Sequence, residues 1–373
     1  MRPLAILHVD PERGFGGGEV QVRGLVRHLA AAGQQQAIAA DPAGALFAEA
    51  VELGVARWPL RIRNNADVVA GRRLAGLLAN GGYDIVHFHT ARAHAMSAFL
   101  GRASPALRVV TRRMDYPPRG GRYARWLYNR TVDAVVAISE AVRAVLVSSG
   151  VEPARIHVIP DGVEAERFIT SDVLRAEERA RQGIAADEFV VLVVAALEKR
   201  KGHGVLFEAV AMLPELRLRV VCAGSGSHAA ALARRRDALG LGTQISFLGQ
   251  VADVRALLAA ADVVAVPSLR EGLGVAALEA LAAGRPVIAS WVGGLPEVIG
   301  EGVAGILVKP GDPAAFAAAL RRLAGHPAAA RALGEAGVAR IRARFTMQGM
   351  ARATLKLYRR LARMSDGKIE QAL

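Results

Sequence analysis

Residues 263–279 read VVAVPSLREGLGVAALE, and this stretch decides the fold. Val263–Val266 is a short apolar run of the kind found in strands that are buried on both faces of a sheet. Pro267 and Ser268 end the run, and the two glycines that follow predict a turn into a helix that begins near Val275. A buried strand that turns directly into a helix is the repeating unit of a parallel α/β sheet.

The same unit recurs along most of the chain, because short apolar runs alternate with helices rich in Ala, Leu and Arg. This alternation predicts an α/β fold with two doubly wound, Rossmann-like domains that face an inter-domain cleft. We expect the domains to span residues 1–165 and 166–345, and a last helix to lie in residues 346–373. The predicted strands are Leu4–Val9, Ala37–Ala40, Ile85–His89, Val109–Thr111, Ala134–Ile138 and Ile156–Ile159, then Phe189–Ala195, Leu218–Ala223, Ile245–Leu248, Val263–Val266, Val287–Ala289 and Ile306–Val308.

Composition narrows the class of protein. The 373 residues carry a formal net charge of +14, and Cys222 is the single cysteine, which excludes an intrachain disulfide and a cysteine-based zinc site. Asp10 comes too early for a signal-peptide apolar core, and no window is apolar enough to predict a transmembrane helix. We therefore expect a cytoplasmic protein, or one peripheral to the inner face of the cell membrane.

The positive charge is concentrated between Arg102 and Arg130, where eight arginines and the single acid Asp115 are interleaved with Tyr and Trp. Basic and aromatic side chains together suit anionic lipid headgroups or an anionic acceptor, and this is the interpretation we favour. Single-stranded nucleic acid and a merely solvated surface remain alternatives. The candidate membrane or acceptor residues are Arg112, Arg119, Arg122, Arg125 and Trp126.

Two acids and a cationic loop suggest a sugar nucleotide as ligand. Glu271 and Glu279 are eight residues apart, just over two helical turns, so both carboxylates can lie on one side and accept hydrogen bonds from sugar hydroxyls. Lys199, Arg200 and Lys201 follow the strand Phe189–Ala195, where cations can hold a diphosphate. The alternatives are that Glu271 is a helix cap, that Glu279 is a solvated helix residue, and that the three cations lie on a solvated loop.

Two further features lie in the first half. Residues 13–19, RGFGGGE, open a helix after the first strand as a phosphate-binding loop does, but they lack the third glycine of the dinucleotide fingerprint. A turn without a ligand is the alternative. His87 and His89 alternate onto one face of a strand, and a structural role for one of them is open. The sequence has no zinc-ligand spacing, so we predict no metal site.

Taken in order, these residues resemble a known family. Residues 267–297, PSLREGLGVAALEALAAGRPVIASWVGGLPE, are similar to the donor-site motif of retaining glycosyltransferases of family 4, also called group 1, which have the GT-B fold. The resemblance continues in GGGE at 16–19, ISE at 138–140, IPDGV at 159–163, KGH at 201–203 and GSG at 224–226.

The resemblance implies a UDP-, GDP- or ADP-sugar donor, retention of anomeric configuration, and no cofactor or metal. It implies that Glu279 binds the ribose, that Glu271 lies beside the donor sugar, and that the last helix returns to the N-terminal domain. Because the stretch from Arg102 to Arg130 is basic and aromatic, we predict a membrane-associated saccharide or lipid-linked acceptor of the cell envelope, such as a lipopolysaccharide core. The donor-binding candidates are Gly16, Gly17, Gly224, Gly226, Gly272, Leu273, Gly274, Val275 and Glu279, and the catalytic candidates are Glu271, Lys201, Arg200, His89 and Arg113.

The chain departs from the family pattern at two positions. Ala196 stands where the family often has an arginine, so that either Arg200 supplies the charge or Lys201 acts alone. Arg113 stands where the family often has a histidine; it cannot serve as a base at neutral pH but can hold an anionic acceptor. Two other functions remain as alternatives. A nucleotide-sugar epimerase of the same architecture would need no acceptor, and a nucleic-acid-binding protein would show steep salt dependence toward DNA or RNA.

Overall fold

The computed structural model describes residues 2–14, 16–101 and 106–370, so that Arg102 of the basic stretch lies outside the described residues. The chain divides into two compact units. The first unit comprises Met1–Gly162 together with Met347–Leu373, and the second comprises Val163–Thr346. Each unit is built on its own sheet.

All strands in both sheets are parallel, which confirms the predicted α/β class. The first sheet has the order β3-β2-β1-β4-β5-β6-β7, and the second has the order β10-β9-β8-β11-β12-β13. The strands are β1 Ala5–Asp10, β2 Gln35–Ala40, β3 Ala56–Pro59, β4 Ile85–Phe88, β5 Leu107–Arg112, β6 Ala134–Ala137, β7 Ile156–Val158, β8 Phe189–Val194, β9 Leu218–Ala223, β10 Ile245–Gly249, β11 Val263–Val266, β12 Val287–Ser290 and β13 Gly305–Val308.

Helices connect successive strands in both units. They are α1 Gly17–Ala31, α2 Ala45–Glu52, α3 Val68–Asn80, α4 Ala91–Ala95, α5 Arg122–Arg130, α6 Glu140–Ser148, α7 Asp172–Arg181, α8 His203–Ala211, α9 Ala229–Ala238, α10 Arg255–Ala260, α11 Val275–Ala282, α12 Leu295–Ile299, α13 Pro313–Gly325, α14 Pro327–Arg344 and α15 Met347–Glu370. Among the described residues, no helix has both the length and the apolar composition that crossing a bilayer requires.

The sequence prediction missed strand β3. All four of its residues, ARWP, are exposed, so the strand lacks the apolar run by which the others were found. It lies at the sheet edge and ends in proline, which edge strands tolerate because one side of their backbone needs no partner.

The first unit includes the last helix. Helix α15 packs on α1, where Gly24 permits close approach because a Cβ there would lie 2.4 Å from the Met347 sulfur. Tyr358 is fully buried in the same core, which joins residues of β1, β4, β5 and β6 to α1 and α15. The second unit has its own core, made largely of residues from β8, β9, α8 and α13.

Strand order reverses between β1 and β4 in the first sheet and between β8 and β11 in the second. Ligands of doubly wound sheets bind beyond the carboxyl ends of the strands at such reversals. The loops that follow these four strands are therefore where functional side chains should be sought.

Candidate functional site

In the second unit, the loop after β8 meets the loop after β11. Lys201 Nζ lies 2.6 Å from Glu271 Oε2, and the Ser268 hydroxyl donates to the same carboxylate oxygen at 3.0 Å. The Lys201 and Glu271 side chains retain 16% and 11% of their exposure. A cation and a carboxylate that are paired but still reachable are suited to a ligand with both a phosphate and hydroxyl groups.

Three glycines fix the backbone around this pair. Gly202, Gly274 and Gly293 all have positive φ, at +68°, +101° and +53°. A Cβ on Gly202 would lie 1.8 Å from the Pro267 carbonyl oxygen, and one on Gly293 would lie 1.5 Å from the Glu271 carbonyl oxygen. The loops after β8, β11 and β12 can therefore approach one another, and hold Glu271, only where no side chain intervenes.

The remaining predicted donor residues lie around these loops. Gly272 and Leu273 are buried in the turn that leads to Gly274, the residue immediately before α11, and Val275 is the first residue of that helix. Gly224 and Gly226 follow β9, where added Cβ atoms would collide with the carbonyl oxygens of residues 195 and 197. The structure thus brings the glycine-rich turns after β8, β9 and β11 to one edge of the second sheet.

Glu279 lies on α11, about one helical turn after the first residue of that helix. Its burial raises the pKa of the carboxyl to about 7; Asp253 adds to the rise and Arg167 opposes it. No hydrogen bond to this carboxyl is made by any residue that the structure describes. An acid without an internal partner that is near half-protonation at neutral pH can accept hydrogen bonds from a diol or donate one.

Arg200 is not part of the Lys201–Glu271 pair. Its guanidinium contacts Glu198 at 2.7 Å and the side chain is 44% exposed, while its carbonyl accepts a hydrogen bond from the Leu269 amide. In this structure Lys201 is the cation that contacts Glu271, and Arg200 ties the two loops together through its backbone.

In the first unit, charged groups collect beyond β1, β4 and β5. Arg113 Nε lies 3.3 Å from Asp161 Oδ2, and its Nη1 lies 3.4 Å from the His89 carbonyl oxygen. Burial raises the pKa of Asp161 while Arg113 opposes the rise. Burial also raises the pKa of Asp10 to about 7, and the charge of Glu19 acts in the same direction. The contact of Arg113 with the His89 carbonyl oxygen places these two predicted residues side by side.

Beneath this edge lies a buried polar cluster, here called the histidine network. Its members are His8, Gln36, His87, His89, Thr111 and Tyr358. His8 Nδ1 lies 2.9 Å from His89 Nε2, and His8 Nε2 lies 2.9 Å from Gln36 Oε1. His87 contacts Tyr358 through Nδ1 at 2.5 Å and Thr111 through Nε2 at 2.7 Å. Burial lowers the pKa of all three imidazoles.

The three histidines are also the one group in the described chain whose side chains could hold a metal ion, since their nitrogens lie within 4.8 Å of one another. The donor set does not fit an ion well. Both nitrogens of His8 and of His87 are engaged in hydrogen bonds, as is His89 Nε2, and a metal would need their lone pairs instead. The arrangement is that of a hydrogen-bonded network.

The loop before α1 offers less than a phosphate site needs. Helix α1 begins at Gly17, and the Gly16 amide donates to Glu19 Oε2 at 2.8 Å. A carboxylate of the chain itself therefore occupies one donor at this helix start. Gly16 and Gly17 are placed at the carboxyl end of β1, as predicted from the sequence, and nothing beyond their position supports a donor role.

The basic stretch separates into a buried and an exposed part. Arg119, Arg122, Tyr123, Arg125 and Trp126 are exposed and are called here the basic aromatic surface; Tyr123 and Trp126 stack with ring centroids 5.7 Å apart. Arg112 does not belong to this surface, which corrects the prediction. Its side chain is buried, and its guanidinium donates to the Tyr116 carbonyl at 2.6 Å and lies over the Tyr116 ring.

Sequence reasoning gave no role to four of the residues at the first sheet's edge, namely Asp10, Asp161, His8 and Tyr358. Asp161 lies in the quoted IPDGV stretch, so a motif was visible, but its partner Arg113 is 48 residues away in sequence. No local pattern links His8 or Tyr358 to His87. Their polar character within otherwise apolar segments was the available signal.

Comparison with known proteins agrees with the resemblance. The family model of glycosyl transferases group 1 matches residues 175–340, and that of Glycosyltransferase Family 4 matches residues 15–167. D-inositol 3-phosphate glycosyltransferases of Mycobacterium tuberculosis and Mycobacterium bovis are 37% identical over 234 residues, which is 61% of this chain and 48% of theirs. The chain thus spans about half the length of the curated relatives it matches.

Solved structures show the same fold. Anabaena HepE in complex with UDP and glucose superposes with a TM-score of 0.86 at 22% identity, over 95% of this chain and 99% of that one. WaaG, a glycosyltransferase involved in lipopolysaccharide biosynthesis, superposes with a TM-score of 0.71 at 17% identity, over 95% and 99%. The fold is the GT-B fold, and the chain belongs to the glycosyltransferases of group 1 and family 4.

Proposed function

We propose that this protein transfers a sugar from a nucleotide-diphosphate sugar to a membrane-associated saccharide or lipid-linked acceptor, with retention of anomeric configuration and without a metal. The observation that carries the proposal is the Lys201–Glu271 pair, held at 2.6 Å by glycine-lined loops at the strand-order reversal of the second sheet. Such a pair matches a ligand in which a diphosphate adjoins a sugar.

Each donor group has a partner of suitable chemistry in the second unit. Lys201 would neutralise the diphosphate as it leaves, which is electrostatic stabilisation of developing charge. Glu271 would accept a hydrogen bond from the transferred sugar, and Glu279 from the ribose. Support comes from HepE, whose structure contains UDP and glucose, while the base of this chain's donor stays open among uracil, guanine and adenine.

The acceptor side of the proposal rests on the first unit. Arg113, beside Asp161, offers a cation suited to an anionic acceptor. The curated relatives are named for D-inositol 3-phosphate, a phosphorylated polyol, and WaaG for lipopolysaccharide biosynthesis. Both names are compatible with an acceptor that carries hydroxyl groups and negative charge.

The donor is tested by thermal unfolding with UDP, GDP and ADP, with and without EDTA. A ligand at a hundredfold excess over its dissociation constant stabilises the native state by about 2.7 kcal/mol. We expect one nucleoside diphosphate to raise the melting temperature, EDTA to leave the rise unchanged, and Glu279→Ala to abolish it. Glu301→Ala, which removes an exposed acid of the same unit, should retain the rise.

Other outcomes of that experiment would contradict the proposal. A response to single-stranded DNA without a response to any nucleotide would favour nucleic-acid binding. Conversion of the nucleotide sugar when no acceptor is present would favour an epimerase. Retention is tested by the anomeric configuration of the product, read from NMR couplings.

Membrane contact is proposed at the basic aromatic surface, on the cytoplasmic side of the cell membrane. Each basic residue near an anionic surface contributes about 1 kcal/mol. We expect replacement of Arg119, Arg122 and Arg125 by Gln to cut binding to anionic vesicles by more than tenfold. Replacement of three exposed arginines of the second unit, Arg322, Arg331 and Arg342, removes the same charge and serves as control. Equal loss in both triple variants would mean that net charge, not this surface, binds the vesicles.

A further inference from the structure

The histidine network determines which nitrogen of His89 carries a proton. Gln36 is the starting point, because its Nε2 donates to the Gln35 carbonyl at 3.0 Å and its orientation is thereby set. Gln36 Oε1, an acceptor, then faces His8 Nε2 at 2.9 Å. His8 must therefore carry its hydrogen on Nε2.

The position of the hydrogen on His8 in turn determines the position of the hydrogen on His89. His8 is completely buried, with its pKa lowered to about 4, so it is neutral and its Nδ1 holds a lone pair. His89 Nε2 lies 2.9 Å from that lone pair and must be the donor. His89 is neutral as well, since burial and the charge of Arg113 lower its pKa well below the usual value. Its hydrogen is on Nε2, and its Nδ1 is a bare acceptor.

This acceptor has no donor. His89 Nδ1 is buried and makes no hydrogen bond with any residue that the structure describes. His89 follows directly after β4, at the strand-order reversal, beside Arg113, whose Nη1 contacts the His89 carbonyl. We infer that His89 Nδ1 is held as the hydrogen-bond acceptor for a ligand hydroxyl group at this edge, and that Gln36 and His8 are positioning residues that fix its tautomer.

The ligand class follows from the neighbouring groups. Arg113 contributes N–H donors and a positive charge, and His89 contributes a lone pair, so a polyol or saccharide with an anionic substituent fits both. The neutral imidazole orients the hydroxyl and does not retain its proton, because burial and Arg113 both disfavour an imidazolium. The identification of this hydroxyl with that of the sugar acceptor rests on the proposed function; the tautomer does not.

The tautomer is tested by long-range proton–nitrogen NMR on protein labelled with 15N-histidine at pH 7, with His89→Asn used to assign the signals. We expect His89 to show a protonated Nε2 and an unprotonated Nδ1. Gln35→Leu removes the exposed neighbouring amide, leaves Gln36 and its backbone acceptor in place, and should preserve the pattern. Gln36→Leu removes that acceptor and should yield a mixture of tautomers. A His89 protonated at Nδ1 in the wild-type protein would overturn the inference.

The hydroxyl is tested by titrating the same sample with myo-inositol, glycerol and inorganic phosphate. We expect the polyols to shift the His89 Nδ1 resonance toward that of a hydrogen-bonded nitrogen and phosphate to leave it in place. In Gln36→Leu the polyol shift should fall at least twofold, and in Gln35→Leu it should be retained. No shift with either polyol would overturn the assignment of His89 as a hydroxyl acceptor.

Failure of the proposed function would have a different signature. UDP, GDP and ADP are added to the same samples, and their binding is read from the melting temperature. Loss of every nucleotide response with the polyol shift intact would refute sugar transfer and leave the His89 acceptor standing. A nucleotide response without a polyol shift would refute the His89 acceptor and leave sugar transfer standing.

Discussion

The two strand-order reversals of this molecule use the same architecture in different ways. In the second unit, the edge is shaped by backbone: glycines at positive φ let the loops touch, and the partly buried ends of Lys201 and Glu271 form the pair. In the first unit, the edge is made of buried titratable side chains, among them Asp10, His89 and Asp161. The comparison teaches that each glycine turn marks its own position in the sequence, even though the two residues it helps to pair, Lys201 and Glu271, are 70 residues apart. Buried polar groups carry no such local mark.

The largest expected difference between the two edges is their response to acid. A lowered histidine pKa gives stability that is present above pH 6.5 and is lost as the pH falls through the folded-state pKa. The first unit holds His8, with its pKa lowered to about 4, and His94, lowered to about 3, besides His87 and His89. For His8 alone, full protonation would cost about 3 kcal/mol.

The second unit has His203, with its pKa lowered to about 4 by burial and by Lys201, as the one imidazole there whose pKa is clearly lowered. Raised carboxyl pKa values act in the opposite sense, and each unit contains at least one such group. We expect hydrogen exchange, compared between pH 6.5 and pH 4.5, to show the first unit losing more protection than the second. Equal losses would mean that the histidine network does not govern acid stability.

Breaking the buried ion pair of the first unit should have the next largest effect. Arg113→Leu leaves Asp161, which is 3% exposed, without its cation, and removing one partner of a buried pair costs about 3–5 kcal/mol. Chemical denaturation measures this cost. The control is Arg143→Leu, which breaks the exposed pair with Glu140 and should change stability by less than about 0.5 kcal/mol. A similar cost in both variants would remove the distinction between the buried and exposed pairs.

The backbone character of the second edge is tested at Gly293. Gly293→Ala adds a Cβ that would lie 1.5 Å from the Glu271 carbonyl oxygen at a positive φ, so we expect a loss of about 2–3 kcal/mol. Gly240→Ala has a similar positive φ with open space around it, and should cost only about 1 kcal/mol. Both are measured by thermal unfolding, and the difference between them isolates the steric contribution.

The smallest stability effect is expected at the Lys201–Glu271 pair itself. Glu271→Gln leaves a partly buried ammonium with a neutral partner, which should cost about 1–2 kcal/mol of stability. Under the proposed function the same change should lower the transfer rate by about a hundredfold, since a charged group of the site is lost. Glu198→Gln, at the exposed pair with Arg200, should leave both quantities nearly unchanged. Parallel losses in the two variants would show that the Arg200 pair contributes as much as the Lys201 pair, against the expectation.

The sequence predicts more of the second unit's edge than of the first unit's edge, and the reason is physical. The turn that holds Glu271, and the helix after it that carries Glu279, were predictable because turn chemistry is local and a glycine that must adopt positive φ marks its own position. Their roles toward a ligand stay predictions. Strand β3 was missed because its exposed residues lack apolar patterning. Arg112 was misplaced because an arginine is expected at a surface, and only packing against Tyr116 shows that it is covered.

The sequence by itself determined the α/β class, the alternation of strands and helices, and the family to which the chain belongs, because these depend on apolar periodicity and on short contiguous motifs. Tertiary structure alone decided that His8, His87 and Tyr358 belong to one buried cluster and that Arg113 pairs with Asp161. It also decided that His89 Nδ1 has no hydrogen-bond partner among the described residues. The contacts His8–His89, His87–Tyr358 and Arg113–Asp161 join positions 81, 271 and 48 residues apart. Their strength depends on burial, which no stretch of sequence specifies locally.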